Sequence, residues 1–199
     1  MKKVILSIFT IATFVIGTTN FSHAATLKHD AATTLTDIST INKLEIHGNV
    51  TVYISDASTD QVKVYNKYYS ESALVQSKNG TLRISSYSPE KLVVWVSAND
   101  LRSVSVYDNA EIKSFGQLSK IEFSVDLHDN ASAKLDLNAY SAVVAVNDHA
   151  KADLSGSADE FTLSHNYAAS VNNYNFSAVR FTENKINVPA ATSTDVVGI

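Results

Sequence analysis

Apolar and polar residues alternate with a period of two over much of this chain, which is typical of β-strands with one buried face. The alternation begins with aliphatic residues at Leu44, Ile46, Val50, Val52 and Ile54. His47-Gly48-Asn49 interrupts it at a point where a strand would bend. Downstream of residue 24 no segment has the period of an amphipathic helix, so the pattern predicts an all-β protein.

Two local segments add detail to this pattern. Asn79-Gly80 suits a two-residue type I′ turn and predicts a hairpin that joins Leu74–Ser77 to Leu82–Ser85. Lys91–Val96 contains five successive apolar residues, among them Trp95. Such a run predicts a strand that is buried on both faces, with Trp95 in the core.

A polar turn followed by alanine recurs four times in the second half of the chain. The copies are Tyr107-Asp108-Asn109-Ala110, His128-Asp129-Asn130-Ala131, Asn147-Asp148-His149-Ala150 and His165-Asn166-Tyr167-Ala168. The steps from alanine to alanine are 21, 19 and 18 residues. An earlier segment, His47-Gly48-Asn49-Val50, has the same form and lies 60 residues before the first copy, which corresponds to three periods.

A period near twenty with strands between the turns favours a parallel β-helix or β-solenoid with coils of about 20 residues. A β-sandwich with regularly spaced hairpins is the alternative. Residues 41–188 are expected to form this single domain.

The two ends of the chain have a different composition. Lys2 and Lys3 precede an apolar stretch, Val4 to Ile16, and Ser22-His23-Ala24 provides the small residues of a cleavage site. Residues 1–24 are therefore expected to be a signal peptide, with an uncleaved anchor as the alternative. Residues 25–40 are expected to be a flexible leader, and residues 189–199 a loose tail. No other segment is apolar and long enough to span a membrane.

Charge and cysteine content exclude several classes of function. Without Lys2 and Lys3 the mature chain has 14 basic and 20 acidic residues, a net charge of −6. This balance argues against binding to nucleic acid or to anionic lipid. The chain contains no cysteine, which excludes disulfides and a lipid-modified cysteine. We expect an extracytoplasmic protein that is periplasmic, surface-held or released.

Several segments together resemble a known family. They are Leu44–Val52, Gly80-Thr81-Leu82-Arg83-Ile84, Val94-Trp95-Val96, and Leu101–Val106 leading into the repeated turns. This arrangement, after a signal peptide, resembles the head GIN domain of bacterial auto-transporter adhesins, over residues 40–188. Family members usually have Ser-Gly-Ser or Ser-Gly-Ala at the turns. This chain keeps that form only at Ser155-Gly156-Ser157-Ala158. The resemblance implies an exported β-solenoid-like domain with an adhesive or surface role, and it implies no catalytic residues.

The repeated turns invite a metal-site interpretation, which the residue types do not favour. Stacking would align Asp108, Asp129 and Asp148, with Asn166 at the end of the column. However, the Gly-Gly-x-Gly-x-Asp pattern of calcium-binding β-rolls is absent. His47, His128 and His165 take the first turn position and His149 the third. His128 and His165 are two turns apart, too far to share one zinc ion directly. We interpret these residues as solvated turn positions and expect no metal and no cofactor.

Catalytic patterns are equally sparse. Acids at Asp126, Asp129, Asp136 and Asp153 could form a glycosidase pair only if two of them faced each other across a groove. The chain has no Gly-x-Ser-x-Gly segment and no phosphate-binding loop. We therefore predict that the protein is not an enzyme, with a β-helix carbohydrate-active enzyme as an alternative.

Aromatic residues provide the candidate binding positions. Tyr65, Tyr68, Tyr69 and Tyr87 lie close in sequence to Trp95 around the predicted hairpin. Exposed aromatic rings can stack on sugars or anchor a protein partner. The sequence thus indicates a surface-binding, adhesin-like domain whose partner is a glycan or a surface protein. A structural envelope module without a ligand is the alternative, and the sequence leaves the oligomeric state open.

Overall fold

The computed structural model describes residues 32–35, 38, 40–65 and 73–186. These residues form an all-β fold in which thirteen strands share one curled sheet. The strands are β1 (Ala32–Leu35), β2 (Lys43–Gly48), β3 (Val50–Asp56), β4 (Gln61–Tyr65), β5 (Ala73–Lys78), β6 (Thr81–Ser86), β7 (Leu92–Ala98), β8 (Ser103–Val106), β9 (Glu111–Ser114), β10 (Leu118–Leu127), β11 (Ser132–Val146), β12 (Lys151–Asn166) and β13 (Ser170–Ile186). No helix that could span a membrane was found among these described residues.

Parallel pairing dominates the sheet and divides it into three stacks of strands. In stack A the order is β6, β2, β8, then the C-terminal parts of β10 to β13. In stack B it is β7, β3, β9, then the N-terminal parts of β11 to β13. Stack C contains the start of β10 and the middle parts of β11 to β13.

The parallel registers of β10 to β13 advance by about one sequence repeat. Phe123 pairs with Ala142, and Ala142 with Phe161, each 19 residues further on. Phe161 then pairs with Phe181, 20 residues on. Equivalent positions of successive repeats therefore lie side by side, at the usual strand spacing of about 4.8 Å.

The first part of the chain does not follow sequence order. β2 lies between β6 and β8, whose paired residues come 38 and 60 positions later in the chain. β3 likewise lies between β7 and β9. The segment from 43 to 56 is thus a direct neighbour of the 103–114 segment, although three sequence periods separate them.

Antiparallel strands occupy the end of the sheet next to β6 and β7. β5 pairs with β6 through the turn at Asn79 and Gly80, whose φ angles are 50° and 78°. Positive φ at both central residues is the pattern of a type I′ turn, so the predicted hairpin is confirmed. β4 pairs with β7, and β1 pairs with β4. β1 lies inside the segment that was expected to be a flexible leader.

The interior is filled by the inward residues of all three stacks. Phe123, Phe161 and Leu118 are among its largest buried side chains. The alternation of β7 corrects one prediction: Leu92, Val94 and Val96 are buried, whereas Val93 and Trp95 are only half-buried and point outward. The run Leu92–Val96 is apolar on both faces, but only one of them faces the core. Trp95 is not a core residue.

Candidate binding surface

The repeated turns bend the chain between stack A and stack B. In each of the first three copies the alanine N–H donates to the carbonyl oxygen of the first turn residue, at 3.0–3.1 Å. Asp108, Asp129 and Asp148 have φ angles of 59°, 58° and 54°. Aspartate tolerates this left-handed conformation better than most residues. The alanine that follows is fully buried in all three copies.

The turn aspartates hydrogen-bond to one another's main chain. The N–H of Asp108 donates to Oδ2 of Asp129 at 3.0 Å, and that of Asp129 to Oδ2 of Asp148 at 3.0 Å. Gly48 takes part too, because its N–H donates to Oδ2 of Asp108 at 2.9 Å. These carboxylates therefore satisfy backbone donors of the neighbouring turn, which gives the repeated aspartate a structural role.

The fourth turn is shifted by one residue from its predicted frame. Val146 pairs with His165 and Lys151 with Ser170, so Ala169 takes the place of the corner alanine. Tyr167 then stands where Asp148 stands in the previous copy, and it ends the column instead of Asn166. Oδ1 of Asn166 accepts from the N–H groups of Ala168 and Ala169 at 3.1 and 2.8 Å. The predicted frame, which aligned His165 with His128, is wrong by one residue because the side chain of Asn166 accepts the hydrogen bonds that form this turn.

Two of the histidines stack with a tyrosine at the turn column. His47 and Tyr107 have ring centroids 4.5 Å apart, and Tyr107 and His128 are 4.9 Å apart. Each histidine also bonds an acid two residues earlier: His47 contacts Glu45 and His128 contacts Asp126, both at 3.0 Å. His165 is separate and contacts Glu183 at 2.9 Å. No group of three or more metal-ligating side chains was found in the described part of the chain.

The four candidate catalytic acids have different partners. Asp126 contacts His128 and Asn147, and Asp136 accepts from Gln117 at 3.2 Å. Asp153 contacts Lys134 and Asn172 on stack B. Asp129 accepts from the turn of Asp108. Each carboxylate is thus engaged with a neighbouring strand or turn.

The predicted aromatic positions do not form one group. Tyr65 lies on β4, opposite Val93 and next to the Lys63–Trp95 pair, so it shares the outer face of stack B. Tyr87 is exposed at the turn column, where its hydroxyl donates to Asp108 at 3.3 Å. That carboxylate raises the pKa of Tyr87. Tyr68 and Tyr69 lie outside the described residues.

An outward aromatic cluster surrounds Trp95. Tyr53 of β3 is its register partner, and their rings stack with centroids 4.8 Å apart. Phe115, which is 62% exposed, packs edge-on against Trp95 at 5.0 Å. Sequence reasoning missed Tyr53 and Phe115. Strand alternation could have predicted the outward position of Tyr53, because Tyr53 lies between the inward residues Val52 and Ile54. Trp95 lies in the same way between Val94 and Val96.

Lysines border this cluster on the same face. Lys63 is the cross-strand partner of Trp95, and Lys113 is the register partner of Tyr53. The Lys113 ammonium lies 5.9 Å from the centre of the Tyr53 ring, within the range of a cation–π contact. Lys134 and Lys151 follow on β11 and β12, where they line a shallow groove with Lys113. Lys91 completes the set, since its ammonium reaches Glu111.

We call this surface the aromatic–lysine face and define it by Tyr53, Lys63, Lys91, Trp95, Lys113, Phe115, Lys134 and Lys151. Two acids, Glu111 and Asp153, lie among its five lysines. Five positive charges minus two negative charges leave an excess of three. The whole chain has a net charge of −4, so the lysines are concentrated on this face.

Glu111 holds two of these lysines in place. Burial raises the pKa of its carboxyl group, but the hydrogen bond from Lys113 and the charges nearby outweigh this and lower it. The same hydrogen bond raises the pKa of Lys113. Lys113 and Glu111 are 2.8 Å apart, and Lys91 and Glu111 are 3.9 Å apart. Lys63 and Lys151 have no ion-pair partner among the described residues.

Solved structures support the fold. A "putative lipid binding protein" from Parabacteroides distasonis is 10% identical, with a TM-score of 0.59 and 78% of each chain covered. "Putative adhesins" from Parabacteroides merdae and Parabacteroides distasonis are each 16% identical, with TM-scores of 0.57. Both alignments cover 78% of this chain and 77% of the other. No curated protein matches the sequence.

A family model matches residues 40–196, which is most of the chain. Its description, "Putative auto-transporter adhesin, head GIN domain", is the family that the sequence motifs resemble, and that prediction is confirmed. The chain therefore belongs to the family described as putative auto-transporter adhesin, head GIN domain.

Proposed function

We propose that this protein is an exported, non-enzymatic domain that binds a partner at the bacterial surface through its aromatic–lysine face. The adhesin family favours an extracellular or surface protein. The observation that carries the proposal is the outward stack of Tyr53 and Trp95, edged by the exposed Phe115. Large apolar rings on the outer face of a sheet are unfavourably exposed to water unless a ligand covers them.

The scaffold suits such a role. We propose that stacks A, B and C are the walls of a parallel β-solenoid with coils of about 20 residues. The parallel registers and the 19- to 20-residue offsets support this architecture over a β-sandwich, in which antiparallel hairpins would dominate. A solenoid presents long regular faces, and its binding surfaces extend across repeats.

Two alternative functions gain less support. A carbohydrate-active enzyme needs paired acids, whereas Asp126, Asp136 and Asp153 each contact a different partner. A structural module without a ligand explains the hydrogen bonds between the turn aspartates but gives no reason for an outward Trp95. The adhesive role gives a reason for the outward Trp95.

Adhesion of the exported protein to cells and to a glycan array tests the proposal. We expect binding that Phe115→Ser weakens, because the substitution removes an exposed ring from the face. Tyr140→Ser is the matched control, since Tyr140 is 52% exposed on another part of the sheet. Absence of binding in both assays, or equal loss in the two variants, would overturn the proposal.

A further inference from the structure

We propose that the aromatic–lysine face binds an acidic polysaccharide, with sugar rings packed over the outer edge of the Tyr53–Trp95–Phe115 cluster and acidic groups paired with Lys134 and Lys151. This inference rests on the proposed function and names its ligand class. Three features of the face carry it: the direction of the row, its charge and the freedom of its lysines.

The row of side chains runs across the strands. Lys63, Trp95, Tyr53, Lys113 and Lys134 occupy successive strands in register, from β4 through β7, β3 and β9 to β11. At about 4.8 Å per strand this row is roughly 19 Å long. Asp153 continues it on β12, with Lys151 two residues before it on the same outer face. A row of this length fits an extended oligomer better than a single small molecule.

The aromatic and the lysine positions of the row offer complementary chemistry. Tyr53 and Trp95, stacked on each other, and the exposed Phe115 provide an apolar patch against which the C–H groups of sugars can pack. The lysine end provides ammonium groups. Lys151 has no ion-pair partner among the described residues, and Lys134, whose side chain is 73% exposed, is paired with Asp153 at 3.5 Å in a solvent-exposed contact that contributes little in water. An incoming carboxylate or sulfate therefore has little to displace.

The charge density favours a polysaccharide over a nucleic acid. A nucleic acid strand carries a phosphate about every 3.4 Å, or roughly seven over the distance from β4 to β12. The face has an excess of only three positive charges on an acidic protein. A glycan that carries one acid on each sugar or every second sugar matches that excess more closely.

Titration calorimetry with the exported protein tests this inference. The probes are polygalacturonate, alginate, hyaluronan and chondroitin sulfate, with methyl-esterified polygalacturonate as a neutral counterpart. We expect binding to at least one acidic glycan and at least tenfold weaker binding to the neutral ester. The double variant Lys134→Gln/Lys151→Gln should bind the acidic glycan more weakly and with a smaller dependence on salt. Lys43→Gln/Lys78→Gln, on β2 and β5 and outside the aromatic–lysine face, is the control and should bind as the wild type does.

Other outcomes separate the inference from the proposed function. Equal affinity for the neutral ester, or binding lost in Phe115→Ser but unchanged in the lysine double variant, would overturn the acidic ligand and keep a binding face. Binding to single-stranded DNA or to phosphatidylglycerol vesicles with no binding to any acidic glycan would overturn the inference. No binding to any probe would overturn it as well, and the adhesion assay would then decide the proposed function alone.

Discussion

The main-chain N–H of Asp108 donates a 3.0 Å hydrogen bond to Oδ2 of Asp129, 21 residues further along the chain. The same bond joins Asp129 to Asp148, and Gly48 to Asp108. Each aspartate thus serves two purposes. Its backbone adopts the left-handed conformation of the turn, and its carboxylate accepts a hydrogen bond from a main-chain N–H of the neighbouring turn. This ladder explains why aspartate recurs with the period of the fold.

The ladder predicts a specific order of stability among variants of Asp129. Asp129→Ala removes the carboxylate that accepts the N–H of Asp108. It also places alanine, which tolerates the left-handed conformation less well than aspartate, at a φ of 58°. We expect the free energy of unfolding to fall by about 2–3 kcal/mol. Asp129→Asn keeps an acceptor oxygen and the left-handed tolerance, and should lose less than about 1 kcal/mol. Denaturation by urea measures both values.

The control for this series is Asp159→Ala, which removes an exposed carboxylate outside the turn column. It should change the unfolding free energy by no more than about 0.5 kcal/mol. If Asp129→Ala were as stable as Asp159→Ala, the ladder would have no role in stability.

Gly156 is predicted to be irreplaceable for a different reason. A Cβ at this position would lie 1.9 Å from the carbonyl oxygen of Leu137 on the adjacent strand, and φ is +105°. Gly156→Ala should therefore lower the unfolding free energy by several kcal/mol or prevent folding. Gly116→Ala is the matched control, because Gly116 also has positive φ (+79°) but open space around its Cβ.

The comparison of the two glycine variants separates backbone strain from contact. Strain is common to both, so Gly116→Ala should lose only about 1 kcal/mol. Thermal unfolding followed by circular dichroism is sufficient for this measurement. Equal melting temperatures of the two variants would mean that the close approach of Leu137 is not what Gly156 accommodates.

The ion pair of Lys120 with Asp56 is expected to matter more than any surface pair. The Lys120 side chain is only 6% exposed, and its ammonium lies 2.5 Å from Oδ1 of Asp56. Oδ2 of Asp56 accepts the N–H of Ser119 at 2.6 Å. Asp56→Ala leaves this little-exposed ammonium with only the charge of Asp100 nearby among the described residues, so we expect a loss of about 3 kcal/mol. Urea denaturation provides the value.

The exposed pair of Lys134 with Asp153 is the comparison. These groups are 3.5 Å apart and both are largely in solvent, so Asp153→Ala should cost less than about 1 kcal/mol. Similar losses for Asp56→Ala and Asp153→Ala would contradict the role assigned to burial.

The free energy of unfolding should depend on pH in the acid range because of the ionisation of Glu45. The hydrogen bond from Arg83 lowers the pKa of Glu45, burial opposes this, and His47 adds to the lowering. A carboxyl with a depressed folded-state pKa stabilises the fold above its unfolded value, about 4.3, and this contribution is lost as pH falls through the folded value. The stability difference between wild type and Glu45→Gln should thus be present at about pH 7 and shrink as the pH falls below about 4.

Urea midpoints at several pH values measure this difference. Glu90→Gln, which removes a carboxylate at an exposed position, is measured alongside as the control. A difference between wild type and Glu45→Gln that stays constant over the whole range would show that ionisation of Glu45 is not linked to folding.

Local signals in the sequence predicted the all-β class, the Asn79-Gly80 hairpin and the inward corner alanines. They are predictable because a turn or an alternating strand depends on adjacent residues. The position of β2 between β6 and β8 was not predictable, since the choice of a parallel partner depends on stacking among distant segments. The His165 copy was misaligned because its polar residues match the turn composition while Asn166 builds a different turn.

The binding surface was predicted only in part. Of the predicted tyrosines, Tyr65 lies on the outer face next to stack B and Tyr87 lies at the turn column instead. Trp95 was predicted to be a core residue, and the structure places it on the outer face. The continuous run Leu92–Val96 hides which residues face outward, because strand alternation is readable only when polar residues mark one face. Tyr53, Lys113 and Lys134 join the site through register between strands, which no single segment encodes.

Trp95 is the one tryptophan of the chain, so its fluorescence reports directly on the face that we propose binds the partner. The decisive measurement is acrylamide quenching of the exported protein during titration with the acidic glycan that binds it in calorimetry. We predict that saturating ligand shifts the emission to shorter wavelength and reduces quenching, because sugar rings cover the part of the indole that is exposed to solvent. Binding with unchanged emission and unchanged quenching would place the ligand elsewhere and contradict the account.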